Sequence, residues 1–122
     1  MGSEFAFKKG GACLNNCGFV STKDISSGLA TPFVWLMDMS LLGVGVGFDT
    51  KGAFTDKEVF LREPRETKDP HVVEDSREGW VAVFRRILDA YDGKDSMPDR
   101  FDYKDIRAAG SIIKSFGGIA PG

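Results

Sequence analysis

Between Asp75 and Gly93 the chain carries its strongest constraint on folding. Trp80, Val83, Phe84, Ile87, Leu88 and Tyr91 fall at i, i+3, i+4, i+7, i+8 and i+11, which puts all six on one stripe of a helix. Asp75 or Ser76 supplies the N-cap, and Glu78 lies in the first turn, where an acidic side chain suits the helix dipole. Asp92-Gly93 stops the helix. Arg85, Arg86 and Asp89 are expected on its solvated face.

Upstream, Gly11 to Val20 reads as a strand with apolar ends (Ala12 and Leu14, then Phe19 and Val20) and a polar Asn15-Asn16 centre. Amides inside a buried strand are costly unless partnered, so a site is the expected reason for them. Ser26-Ser27-Gly28 reads as a loop, and Thr31-Pro32 as the N-cap and first position of another helix. Phe33, Leu36, Met37, Met39 and Leu41 make that helix mostly apolar, hence buried on more than one side, and Gly43 ends it. Gly43-Val44-Gly45-Val46-Gly47-Phe48 alternates like a strand packed closely on another backbone. A phosphate-loop reading of the same run fails: no Gly-Lys-Ser/Thr follows, and Thr50 breaks the Gly-x-Gly-x-x-Gly spacing. Lys51 to Val73 is the least regular part. A short strand is expected over Lys57 to Arg62, and Pro64, Pro70 and six charges between Arg62 and Asp69 predict an exposed loop. Pro98 to Gly110 is expected to hold a turn and a short strand over Phe101 to Ile106.

A length of 122 residues suits one small domain, and neither an internal repeat nor a dividing linker is visible. Hydrophobic residues at 42% and charged residues at 28% are ordinary globular values. Fifteen glycines without a collagen-like period indicate tight turns and close backbone approach. A net charge of −2 argues against a nucleic-acid-binding surface, which would cluster excess Lys and Arg. No apolar run is long enough to cross a bilayer, and the start lacks the layout of a signal peptide. Gly2-Ser3-Glu4-Phe5 is what two common cloning sites encode back to back, so residues 1–5 are read as an expression scar.

The two cysteines are Cys13 and Cys17. A structural zinc site would need four ligands, and the single histidine, His71, reads as a surface residue in a charged loop. In an extended strand the two thiols would lie roughly 13 Å apart at ~3.3 Å per residue, too far for a direct bridge. Reduced thiols and a cytoplasmic setting are the expectation. Taken alone, Cys17 has two readings. A cysteine in a strand is commonly a small buried hydrophobe, while the adjoining Asn15-Asn16 amides suit the orientation of hydroxyls or sugar-phosphate groups. The residue sets for Ser-His-Asp hydrolysis and zinc deamination are lacking.

Three ordered stretches carry a family resemblance: Leu14-Asn15-Asn16-Cys17-Gly18-Phe19-Val20, Asp75-Ser76-Arg77-Glu78-Gly79-Trp80, and Asp105-Ile106-Arg107 with Phe116-Gly117-Gly118 further on. Together they resemble the adenosylcobalamin-dependent (class II) ribonucleotide reductases, and the second stretch resembles the monomeric branch that reduces ribonucleoside triphosphates. The fold this implies is α/β: the opening strands and helices of a ten-stranded α/β barrel, a partial barrel over residues 6–122. An effector-site insertion from about Lys51 to about Tyr103 would mimic the second subunit of the dimeric enzymes.

The resemblance also implies roles. Cys17 would be the redox-active cysteine that reduces the ribose, its partner cysteine lying elsewhere. Asn16, Arg107, Gly117 and Gly118 would line the substrate side. Phe33, Leu36 and Met37 with Lys51 would contribute to the deoxynucleotide effector site. The parent would use adenosylcobalamin, bound by a region outside this chain, to make a thiyl radical that abstracts the 3′-hydrogen. Its partners would be the nucleotide substrate, a thioredoxin-type reductant and the remainder of the barrel, with no nucleic acid and no membrane. The fragment alone would be inactive. The rival reading is a non-catalytic nucleotide-binding or interaction module derived from the same fold.

Overall fold

Two short strands run parallel with a helix between them. Strand β1, Cys17–Val20, pairs with β2, Gly45–Phe48, in the register Cys17 to Gly45, Gly18 to Val46, Phe19 to Gly47 and Val20 to Phe48. Parallel strands cannot be joined by a hairpin, and helix α1, Ala30–Leu41, makes the crossover. This βαβ unit is the first half of a computed structural model that describes residues 17–54 and 57–110. The expectations for residues 1–5, Cys13, Asn15, Asn16, Gly117 and Gly118 lie outside the described residues.

Helix α1 begins earlier than Thr31-Pro32 suggests. Its first residue is Ala30, its N-cap is Leu29, and no side chain of its own caps it. Pro32 still falls in the first turn, where the missing N–H has no intrahelical partner to lose. The end matches the sequence: Gly43 takes φ 84°, a left-handed conformation that favours glycine.

The second half is organised around helix α2, Arg77–Tyr91. Ser76, not Asp75, is its cap, with Ser76 Oγ accepting the Gly79 N–H at 2.9 Å. The Arg77 guanidinium beside Glu78 holds that carboxyl below its usual range. At the far end Asp92 is the C-cap and Gly93 takes φ 77°. The α2 carbonyls left without helical donors are met by the chain that follows and by Arg62, whose N–H donates to Tyr91 O at 2.8 Å.

Residues 57–62 form no strand. Two-residue strands stand instead at β3 (Arg65–Glu66) and β4 (His71–Val72) before α2, and at β5 (Ser96–Met97) and β6 (Phe101–Asp102) after it. β3 pairs parallel with β5, and β4 with β6, so α2 is again the crossover. The expected strand over Phe101 to Ile106 is therefore limited to its first two residues. Arg86 also departs from expectation: it is drawn off the solvated face to donate to Ser96 O at 2.7 Å, with Asp95 at 3.4 Å.

The two helices lie antiparallel and are fastened at both ends. Near the start of α2, Arg77 pairs with Asp38 of α1 at 3.1 Å. At the other end Asp92 Oδ2 accepts the Leu29 N–H at 3.3 Å, so a carboxylate from beyond α2 caps α1 in place of a local side chain. Lys94 bridges the same corner, reaching Asp92 at 3.3 Å and Ser27 O at 3.2 Å. Leu29, Ala30, Val34, Val44, Val73 and Ala90 make up the buried apolar core.

Gly79 has no room for a side chain, because a Cβ there would overlap the Glu74 carbonyl. Alanine is the better helix former by ~0.8–1.0 kcal/mol, yet overlap with backbone costs about 1–3 kcal/mol and outweighs that gain. Gly79→Ala is therefore expected to lower stability in urea unfolding, and Ser76→Ala to cost about 1 kcal/mol through loss of the cap. A Gly79→Ala chain as stable as the parent would refute the close approach.

Candidate functional site

The carboxyl ends of parallel strands are where α/β folds place ligands, and here that edge is built around one carboxylate. Asp49, immediately after β2, accepts the Thr22 N–H on Oδ1 at 2.9 Å and the Lys51 N–H at 3.1 Å. The Thr22 hydroxyl lies 3.0 Å from the same oxygen and 3.1 Å from the Asp49 carbonyl, and it accepts the Gly52 N–H at 2.9 Å. Thr22 is only 7% exposed. These bonds clamp the exit of β1 to the short 3-10 turn Lys51–Phe54. A Cβ on Gly52 would overlap the Thr22 carbonyl and press on Ile25, so glycine alone fits there.

Asp49 Oδ2 is buried. The carboxyl is nonetheless lowered from 3.8 to about 2, first by the Ser21 hydroxyl beside it and then by the Thr22 N–H. Desolvation opposes this, and Lys51 N–H and the Thr22 hydroxyl add to it.

Beside this clamp a cavity of about 130 Å³ opens between the strand ends and α1, lined by Val20, Thr22, Pro32, Phe33, Leu36 and Phe48. Of the expected effector residues, the structure brings Phe33 and Leu36 to this cavity. Lys51, exposed on the clamped turn, and Met37, half-buried on α1, do not line it. A wider groove of about 420 Å³ runs past Gly52, Ala53, Lys57, Glu58, Val59 and Phe60.

Cys17 stands at the other end of β1, roughly 10 Å from Val20 at ~3.3 Å per residue. It is exposed and free of any disulfide, so the buried-hydrophobe reading does not hold. Gly18 faces α1, since a Cβ there would come within 3.0 Å of Trp35 Cη2. By alternation Cys17 and Phe19 point away from the helix. Their register partners on that face are Gly45 and Gly47. A Cβ on Gly47 would lie 3.5 Å from Phe19 Cδ2, which confirms the shared side. The result is a thiol flanked by bare backbone on a face that, among the described residues, no helix covers.

Arg107 is held by Asp75: Nε donates to Oδ2 at 2.6 Å and Nη2 lies 3.4 Å from the Asp75 carbonyl. Two of the sequence motifs thus meet in one ion pair. The rings of Trp80 and Tyr103 stack at 6.0 Å beside the same junction. Sequence reasoning missed Thr22 and Asp49. The available signal was an aspartate two residues before Lys51 at a strand exit, the spacing at which an Asx turn accepts a backbone N–H.

Comparison with known proteins bears on this arrangement. The chain is 43% identical over 127 residues to an adenosylcobalamin-dependent ribonucleoside-triphosphate reductase of Euglena gracilis, covering 100% of this chain and 17% of that protein. It is 42% identical over 128 residues to a "Probable adenosylcobalamin-dependent ribonucleoside-triphosphate reductase" of Dictyostelium discoideum, covering 91% of this chain and 16% of the relative. A reductase of the same name from Lactobacillus delbrueckii subsp. bulgaricus is 27% identical over 165 residues, covering 94% of this chain. No family model and no solved structure matches. The chain belongs to the adenosylcobalamin-dependent ribonucleoside-triphosphate reductases, and it spans about one sixth of the length of its Euglena and Dictyostelium relatives.

The Asp49 clamp gives the fold an acid limit whose sign follows from the lowered carboxyl. Its contribution is complete above the ordinary carboxylate range, near pH 4, and is lost as pH falls through about 2. Thermal melts between pH 5 and pH 2 should show this loss in the parent chain and a smaller one in Asp49→Asn. Parallel curves for the two proteins would contradict the clamp.

Proposed function

We propose that this chain is part of a reductase that converts ribonucleoside triphosphates to 2′-deoxyribonucleotides, and that Cys17 is one of its two reducing cysteines. The observation that carries the reading is the exposed Cys17 thiol on the helix-free face of β1, flanked by Gly45. In a closed α/β barrel the helices lie outside, so the face without a helix is the interior one. A nucleotide could approach the thiol there without meeting a side chain at Gly45. The overall reaction is balanced by two thiols. They lose two electrons and two protons as they join in a disulfide, the ribose loses its 2′-hydroxyl as water, and a thioredoxin-type reductant restores the thiols. Arg107, fixed by Asp75, belongs to the substrate side of this arrangement.

The same reading assigns Phe33, Leu36 and Lys51 to a deoxynucleotide effector site, with the segment from about Lys51 to about Tyr103 as its second wall. Packing of α2 along α1, through Arg77 with Asp38 and Asp92 with Leu29, supports that assignment.

The relatives are named for adenosylcobalamin, and neither of the two cavities described above fits it. The groove and the cavity, about 420 and 130 Å³, suit at most a drug-sized ligand, and a corrinoid is larger. No group of His, Cys, Asp and Glu among the described residues could hold a metal ion. We therefore assign no cofactor contact to the described residues. No helix among the described residues is long and apolar enough to cross a membrane.

In the complete enzyme carrying this segment, Cys17→Ser should abolish sustained turnover with a thioredoxin-type reductant while effector binding is unchanged. Steady-state reduction at the parent rate would end the redox assignment.

A further inference from the structure

We propose that Thr22 and Asp49 are positioning residues for phosphate binding at the carboxyl end of the βαβ unit, and that they act through Lys51. The inference rests on the effector reading above and adds to it the part of the chain that sets its geometry. Lys51 lies between two anchored neighbours. Asp49 Oδ1 takes the Lys51 N–H at 3.1 Å, and the Thr22 hydroxyl takes the Gly52 N–H at 2.9 Å. Gly52 is buried with no space for a Cβ, so the backbone there cannot shift toward Thr22. The direction in which Lys51 leaves the backbone is therefore fixed, although its side chain is exposed.

Thr22 has a second face. The residue whose hydroxyl anchors the turn also lines the apolar cavity with Phe33 and Leu36. One buried threonine thus sets the distance between an apolar recess and a cation. A nucleotide presents the matching pair of features, a flat ring system and a polyanionic tail. At about 130 Å³ the recess falls below the roughly 300–1,000 Å³ of pockets for drug-sized ligands, so it can take a ring and not a whole nucleotide. The tail then lies outside it, on the side of Lys51. The Asp49 carboxylate is itself an anion, engaged by the Thr22 and Lys51 N–H groups, so the attraction for a phosphate has to come from the Lys51 ammonium.

The test is calorimetric titration of the full 122-residue chain with dTTP. Thr22→Val is close to isosteric and removes the hydroxyl. It should weaken dTTP binding about tenfold, the equivalent of ~1.4 kcal/mol, and Thr22→Ser should restore it. In a Lys51→Ala background the same Thr22→Val change should have no further effect, since the coupling runs through the lysine. A purely structural threonine would leave the affinity of the folded molecules unchanged, or would act independently of Lys51; either result overturns the proposal. Should Thr22→Val fail to fold, Asp49→Ala, which removes the acceptor of the Lys51 N–H, must weaken dTTP binding with the same dependence on Lys51, and its absence overturns the proposal equally. Failure of the parent chain to bind dTTP would instead defeat the effector reading itself, and this inference with it.

Discussion

The antiparallel fastening of α1 to α2 is the constraint on which the rest of the molecule depends. Helix α1 has no capping side chain at Leu29, and its acidic Asp38 lies near its carboxyl end, where the helix dipole disfavours a negative charge. Both defects are corrected from outside. Asp92 supplies the missing acceptor at the amino end, and Arg77 neutralises Asp38 at the other. Without α2, the crossover of the βαβ unit would carry an uncapped start and an unpaired charge. Exposed ion pairs are individually worth little. Here the pair acts together with the Asp92–Leu29 hydrogen bond, and both favour the same antiparallel alignment.

The stripe from Trp80 to Tyr91 made α2 legible, down to its Gly93 stop, because a single-faced apolar pattern has one helical solution. The glycine alternation from Gly43 to Gly47 made β2 legible for a related reason: a bare strand face implies a close neighbour, and Phe19 lies across Gly47. What the sequence hid were features set by distant partners. The start of α1 is beyond local pattern, since its cap comes from Asp92, far along the chain. The strand expected over Lys57 to Arg62 does not form; the Arg62 N–H is taken by the Tyr91 carbonyl instead. Arg86 reads as a solvated residue until Ser96 and Asp95 are brought beside it. The Thr22–Asp49 clamp spans two strand exits, and no local pattern announces a pairing of that kind.

The distribution of apolar surface fits a unit that is covered on one side. Parallel sheets are normally buried on both faces, yet among the described residues α1 is the one helix packed on the β1–β2 pair. Phe19 is 63% exposed on the helix-free face, and Phe54, Phe60 and Leu61 are 83%, 64% and 68% exposed near the groove. Against these stand small buried residues, Ala30, Ala90 and Val73. Large aromatic side chains contribute most to stability when buried, so this chain holds much of its apolar surface in reserve. The proposed barrel accounts for that reserve, since its further strands and layers would cover the same faces.

Within that frame, β1 separates two kinds of chemistry along one short strand. Cys17 at its amino end is accessible and flanked by glycine, as its proposed redox role requires. Thr22 beyond its carboxyl end is buried and saturated with hydrogen bonds, as a residue must be if it is to hold a turn still.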